Sequence, residues 1–131
     1  MSENTNKITA AELAKLCCEL ADERKAEEIV SLEIGQVSFI ADYFVICSAN
    51  STTQLAAIQS RLERGVREKI DLRPLAVEGD PASGWVLIDF GAVVVHVMTR
   101  EMRDRYQIEK LWGDAPTDEA RQALQNFRPE Q

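Results

Sequence analysis

The sequence contains one histidine, three cysteines and no long apolar run, and these shortages exclude several classes of protein. A membrane-spanning helix needs roughly 20 consecutive apolar residues, whereas a typical apolar run here covers only residues 91–95. Cys17 and Cys18 are adjacent, and Cys47 lies within an apolar stretch, with no C-x-x-C spacing. We therefore expect no membrane contact, no zinc site and no disulfide framework. The cysteines are predicted to be small core residues in a reducing compartment.

Basic residues are also outnumbered by acidic residues. The chain has 15 Lys and Arg against 22 Asp and Glu, a formal net charge of −7. Proteins that bind nucleic acid usually carry a basic surface, so little direct contact with nucleic acid is expected. An acidic chain suits a basic protein partner, although solubility alone would also explain the charge. The N-terminus lacks the apolar segment of an export signal, which predicts a cytoplasmic protein.

The motifs of common catalytic sites are missing too. The sequence has no Walker loop, no G-x-G-x-x-G, no G-x-S-x-G and no H-E-x-x-H. His96 is the sole histidine, and its spacing from Asp89 and from Ser48 or Ser51 does not predict a triad. Asp42 and Asp89 lack a third carboxylate for a two-metal site. The sequence therefore predicts a protein that is not an enzyme and needs no cofactor or metal.

The apolar periodicity predicts one α+β domain with a mixed β-sheet and helices packed on it. Helices are expected over about 10–24 and 52–69, each after a capping-box pattern. The small polar residues at 47–51 are predicted to cap the second helix, with anion binding as the alternative. The strand, helix and strand order predicts a parallel pair. The strands before the hairpin are predicted at residues 27–34, 43–47 and 75–77. The domain is predicted to cover residues 9–113, with polar tails at 1–8 and 114–131.

Residues 85–98 are predicted to form a β-hairpin with a two-residue turn at Gly91 and Ala92. This register gives one apolar face, comprising Val86, Ile88, Phe90, Val93, Val95 and Val97. The other face comprises Trp85, Leu87, Asp89, Val94, His96 and Met98. Because a core needs neither an acid nor a histidine, we interpret this mixed face as a surface that docks a partner. Asp89 and His96 are predicted diagonal neighbours; a structural hydrogen bond of a half-exposed histidine is the alternative.

A short helix over about 100–106, followed by an irregular or extended segment, is predicted after the hairpin. The apolar residues beyond position 101 do not form one helical stripe, so Tyr106 and Trp112 would be free to contribute to a surface. Tyr, Trp and Arg are the residue types that anchor interfaces. The alternative is that both rings cap the core.

These same segments resemble one known family, the ribosomal silencing factors RsfS, also called YbeB or Iojap. The resemblance covers about 9–115, with small departures at Phe90, where Tyr is common, and Ile108, where Leu is commoner. The segments that carry it are DYFVICSANSTTQ (42–54), PLAVEG (74–79), WVLIDFGAVVVHVM (85–98) and RYQIEKLW (105–112).

The resemblance implies a fold similar to half of a nucleotidyltransferase, without the metal-binding carboxylates of that fold. It implies that the chain binds large-subunit ribosomal protein fourteen, a basic protein, and sterically blocks joining of the small subunit when nutrients are scarce. The resemblance is also compatible with a homodimer. The docking surface that it implies comprises Trp85, Asp89, His96, Arg105, Tyr106, Glu109 and Trp112. The rival interpretation is a small nucleotidyltransferase-like enzyme.

Overall fold

The computed structural model describes residues 8–35 and 40–112, and the side chains of Leu111 and Trp112 lie outside that description. These residues form an α+β fold with a mixed five-stranded sheet, as predicted. The helices are α1 (Ala10–Glu23), α2 (Thr52–Ile70) and α3 (Arg100–Tyr106), with 3₁₀ turns at Pro81–Ser83 and Ile108–Trp112. The strands are β1 (Glu27–Glu33), β2 (Tyr43–Ala49), β3 (Ala76–Asp80), β4 (Trp85–Asp89) and β5 (Val93–Thr99).

Both predicted helix starts are capped by side chains. The Thr9 hydroxyl accepts a hydrogen bond from the Glu12 N–H at 3.0 Å, and the Glu12 carboxylate accepts one from the Thr9 N–H at 2.9 Å. This reciprocal pair satisfies two otherwise unpaired donors of α1. The Ser51 hydroxyl caps α2 by accepting from the Gln54 N–H at 3.0 Å. The Gln54 side-chain amide instead donates to the carbonyls of the two residues that follow α1, which ties the two helices together.

The strand order in the sheet is β1-β2-β5-β4-β3, with β2 and β5 parallel and the other pairs antiparallel. A parallel pair therefore exists, but it joins β2 to β5, and the prediction that β2 pairs with the strand after α2 is wrong. That strand, β3, lies at the far edge. The physical reason is burial: β5 is buried on both faces and takes a central position, while the polar β3 tolerates an edge.

The hairpin register is the predicted one. Val86 lies opposite Val97, and Leu87 lies opposite His96. The Phe90 N–H donates to the Val93 carbonyl at 2.9 Å, which closes a two-residue turn. Gly91 has a φ of +93°, the backbone region for which glycine is favoured at this turn. The assignment of alternate residues to opposite faces is therefore confirmed.

One face of the sheet packs against α1 and α2, and we call the residues buried there the first core. Gly65 of α2 lies so close to α1 that a Cβ at this position would be 2.5 Å from Leu20 Cδ2. The close approach of the two helices explains a glycine inside a helix, where it otherwise costs about 1 kcal/mol. The first core includes Leu20, Val45, Cys47, Leu55, Ile58, Leu62, Val66, Val86, Ile88, Phe90, Val93, Val95 and Val97.

The opposite face of the sheet is also buried, and we call its residues the second core. Its cover is α3, the 3₁₀ turn at Ile108–Trp112 and the segment before β2. The prediction that the mixed hairpin face is exposed is therefore wrong: Trp85 is 2% exposed and His96 is 1% exposed. The second core comprises Ile34, Ala41, Phe44, Ile46, Trp85, Leu87, Val94, Met98 and Ile108, with Met102 and Tyr106 packed against it.

Cys17 and Cys47 are buried with free thiols, as expected of core residues. Within the described residues, no helix is both long and apolar enough to cross a bilayer. The predicted tails fall almost entirely at 1–7 and 113–131, outside the described residues. Their boundaries stay predictions.

Candidate docking surface

Four aromatic rings form a continuous row through the second core. The Phe44 and His96 rings meet edge to face with centroids 4.8 Å apart. The Trp85 ring lies 5.9 Å from His96 on one side and 5.3 Å from Tyr106 on the other. Such tilted contacts are favourable for aromatic pairs. Tyr106 is half-buried while the other three rings are buried, so the row reaches the surface at Tyr106.

The buried histidine is held by the neighbouring tryptophan. Trp85 Nε1 donates a hydrogen bond to His96 Nδ1 at 3.1 Å, so this ring nitrogen carries no proton. The strand register places Asp89 and His96 as diagonal neighbours, as predicted, and Asp89 Oδ1 accepts from the Gly91 N–H at 2.8 Å. The structural hydrogen bond that was the alternative is present, although His96 is buried rather than half-exposed. Trp85 and His96 thus support the surface from beneath.

A buried arginine, which the sequence reasoning missed, fastens α3 to the sheet. Arg103 is 5% exposed. Its Nη1 donates to the Glu28 carbonyl at 2.5 Å and to the Ser48 hydroxyl at 3.0 Å, and its Nε donates to Glu109 Oε2 at 3.1 Å. The available signal was helical spacing, since residues 102, 103 and 106 share the inner side of α3.

Two predicted site residues of opposite charge lie on α3 and on the 3₁₀ turn that follows it. The Arg105 side chain is 60% exposed and lies 4.0 Å from Glu101, the i, i+4 partner that the spacing indicated. Glu109 does not continue this series, because α3 ends at Tyr106 and Gln107 adopts a left-handed conformation with φ +48°. The Glu109 carboxylate turns instead to Arg103 and its Oε1 is buried, although the side chain as a whole is 31% exposed. Trp112, the last predicted site residue, has its side chain outside the described residues.

A second ionic group fixes the first turn of α3. Arg100 forms ion pairs with Glu27 and, at 3.6 Å, with Glu28. Hydrogen bonds from Asn50 and Arg100 lower the pKa of the Glu27 carboxyl. The same contact with Glu27 raises the pKa of Arg100. These exposed pairs contribute little stability individually, but they add contacts between α3 and β1.

The aromatic row, its cover and the capped helices all lie within a stretch that matches a known family. The model of the family described as "ribosomal silencing factor during starvation" matches residues 7–131. The chain belongs to the ribosomal silencing factor family. The match extends past the range of about 9–115 that the motifs suggested, to residue 131.

Individual relatives of this ribosomal silencing factor family agree with the family match. A protein of Halalkalibacterium halodurans named ribosomal silencing factor RsfS is 46% identical over 82% of this chain and 92% of its own length. A mouse protein named mitochondrial assembly of ribosomal large subunit protein 1 is 35% identical over 71% of this chain, which spans 42% of it. A crystal structure of a Chromobacterium violaceum protein superposes with a TM-score of 0.77 at 30% identity, over 84% of this chain and 92% of that one.

The predicted site residues of this family member divide into three groups by accessibility. Trp85 and His96 are buried. Asp89, Tyr106 and Glu109 are partly exposed, and Arg105 is exposed. Their part in binding a partner stays a prediction. Among the described residues, no three His, Cys, Asp or Glu side chains lie close enough together to hold a metal ion.

Proposed function

We propose that this chain binds the large ribosomal subunit through large-subunit ribosomal protein fourteen and blocks the small subunit from joining. Translation would then fall when nutrients are limited. Membership of the ribosomal silencing factor family supports this proposal. The mouse relative, which is named for assembly of the ribosomal large subunit, supports the choice of subunit.

The aromatic row that ends at Tyr106 is the observation that favours this surface for docking. An interface anchor works best when its ring is held in place before the partner arrives. The Tyr106 ring has this property because it packs on the buried Trp85, which is itself hydrogen-bonded to His96. Arg105, next to Tyr106 in the sequence, offers an exposed charge that a partner can contact. Glu109 would contribute through its partly exposed side chain, while its carboxylate is bound to Arg103. Asp89, at the turn end of β4, would contribute at the edge of the same face.

Charge supports a basic protein as the direct partner. The chain has a net charge of −7, and complementary fields raise the rate at which acidic and basic surfaces meet. The phosphate backbone of RNA would be repelled by the same charge. We therefore propose a contact with a basic ribosomal protein and little direct contact with nucleic acid, in the cytoplasm of a bacterium.

The proposed mechanism is steric, and no substrate is converted to product. The bound chain occupies part of the face that the small subunit must approach, so it needs neither a cofactor nor a metal. The implied likeness to half of a nucleotidyltransferase fold and the homodimer stay predictions. The rival, a small nucleotidyltransferase-like enzyme, predicts that Mg²⁺ with a nucleotide raises the thermal unfolding temperature, because ligands that bind the folded state stabilise it.

Subunit joining in a sucrose gradient tests this function. Purified small and large subunits are mixed at a magnesium concentration that allows joining, with and without a molar excess of the full chain. We expect the joined ribosome peak to fall and the chain to travel with the large subunit. A chain that stays at the top of the gradient while joining proceeds normally would contradict the proposal.

A further inference from the structure

The position of α3 depends on one buried guanidinium. The Arg103 side chain reaches three separate parts of the fold: β1 through the Glu28 carbonyl, β2 through the Ser48 hydroxyl, and the 3₁₀ turn through the Glu109 carboxylate. Removing a buried hydrogen-bonded charge leaves its partners unsatisfied, which is costly. Arg103 therefore fixes where α3 and the following turn lie on the sheet.

The backbone of β1 is irregular where Arg103 reaches it. The pairing of β1 with β2 shifts register between Glu27 and Val30, and Glu28 has a φ of +49°, unusual for a residue other than glycine. At such a bulge the sheet ladder is interrupted, so a carbonyl there needs a donor from elsewhere. Arg103 Nη1 supplies that donor, and the bulge in turn offers a fixed acceptor.

The geometry of the contacts requires an arginine. Two different guanidinium nitrogens are used, since Nη1 serves β1 and β2 while Nε serves Glu109. A lysine carries its donors on one atom and cannot span these positions. Lysine at this position would retain the charge but lose the rigid link between sheet and turn.

We propose that Arg103 is a positioning residue for the docking surface, and this inference depends on the proposed function. Tyr106 lies one helical turn after Arg103, and the Gln107 N–H that ends the helix donates to the Arg103 carbonyl at 2.8 Å. Fixing Arg103 therefore fixes the ring of Tyr106 against Trp85. Arg103 itself is too buried to be a main contact for the partner.

Replacement of Arg103 by lysine tests the proposal, with Arg100→Lys as a matched control. Both arginines lie on α3 and contact Glu28, but the Arg100 contacts are exposed ion pairs. We expect Arg103→Lys to weaken binding of purified large subunits about tenfold. Arg100→Lys is expected to stay within about twofold of the unchanged chain. Equal affinities for the two variants would overturn the proposal.

Hydrogen exchange on the isolated chain separates positioning from a general loss of stability. In Arg103→Lys, the amides of Gln107 and Lys110 are expected to exchange about tenfold faster, while those of β5 keep their protection. Faster exchange throughout the chain would show a merely structural residue. This measurement needs no ribosome, so it tests the proposal even if the unchanged chain fails to bind large subunits, which would refute the proposed function alone.

A double variant adds a second criterion. If Arg103 acts by holding Tyr106, then Arg103→Lys with Tyr106→Ala should bind no more weakly than Tyr106→Ala alone. Additive losses would overturn the proposal. Should Arg103→Lys not fold, Ser48→Ala removes one acceptor from the same link, and we expect about threefold weaker binding. Unchanged affinity in that variant would then decide against the proposal.

Discussion

The first and second cores lie on opposite faces of one sheet but are built from different side chains and under different covers. The first core is filled mainly by aliphatic residues and covered by two helices of 14 and 19 residues. The second core contains the aromatic row and is covered by the 7-residue α3 and a short 3₁₀ turn. The difference fits the proposal that one face supplies stability while the other presents the docking surface.

Buried polar groups show the same difference. Ser48, His96 and Arg103 are the buried polar or charged residues among those described. By strand alternation, Ser48 and His96 lie on the second-core face, and Arg103 reaches that face from α3. Because an unpaired buried polar group is costly, the contact between Arg103 and Ser48 restricts how the cover can sit. The second core therefore gains a defined geometry rather than a large apolar area.

The largest expected effect is a loss of stability in the first core. Leu62 of α2 is fully buried there, and Leu62→Ala should lower the free energy of unfolding by about 2–5 kcal/mol through lost contacts and a cavity. Urea unfolding measures the change. Leu75 is 73% exposed, so Leu75→Ala should change stability by less than about 0.5 kcal/mol. Similar losses for both leucines would contradict the assignment of stability to the first core.

A smaller effect is expected in the second core from Trp85→Phe. This change keeps a ring but removes the N–H that donates to His96 Nδ1. We expect the free energy of unfolding to fall by about 1–3 kcal/mol and binding of large subunits to weaken, because the support of Tyr106 is disturbed. If Trp85→Phe binds large subunits as tightly as the unchanged chain, the aromatic row does not support docking.

The packing of α1 on α2 predicts a net loss of about 1 kcal/mol for Gly65→Ala. Overpacking against Leu20 should cost about 1–3 kcal/mol, against a gain of about 1 kcal/mol in helix propensity. Ser60→Ala, at an exposed position of the same helix, is the control and should be neutral or slightly stabilising. Thermal unfolding compares the two variants. A stabilised Gly65→Ala would show that the two helices are less close than described.

A further effect, absent at neutral pH, concerns the thiols of the first core at high pH. Burial raises the pKa of both Cys17 and Cys47 to about 12, against about 8.5 for an unfolded chain. The stability that the two protonated thiols contribute is fully present below the pKa of the unfolded chain. It is lost as pH rises above that value, because the unfolded chain then releases the thiol protons while the folded chain keeps them. We expect stability to fall from about pH 8.5 upward to about pH 12, and less steeply in a Cys17→Ala, Cys47→Ala variant. Identical pH profiles would contradict this.

The sequence was sufficient to predict local features of the fold. The helix caps at Thr9 and Ser51 were predictable because the side chain and the N–H that it satisfies are three residues apart. The hairpin register was predictable because Gly91 restricts the turn and alternation then assigns every side chain to a face. The parallel pairing of β2 with β5 was not predictable, because it depends on which strands take the central positions of the sheet.

The surface was harder to predict than the fold. Alternation showed that Trp85 and His96 share a face with Asp89, but it did not show what covers that face. The cover is a helix of 7 residues and a 3₁₀ turn, too short for a clear periodic signal. Arg103 was missed because two of its three acceptors, on Glu28 and Ser48, are distant in the chain.

The affinities of Tyr106→Ala and Tyr43→Ala for purified large subunits test the central claim most directly. Both tyrosines are half-buried, but Tyr43 packs against the first core and Tyr106 against the second. We expect Tyr106→Ala to weaken binding by about 2 kcal/mol, roughly 30-fold, and Tyr43→Ala to stay within about twofold. An unchanged affinity for Tyr106→Ala, or an equal loss in both variants, would contradict docking through the second-core side.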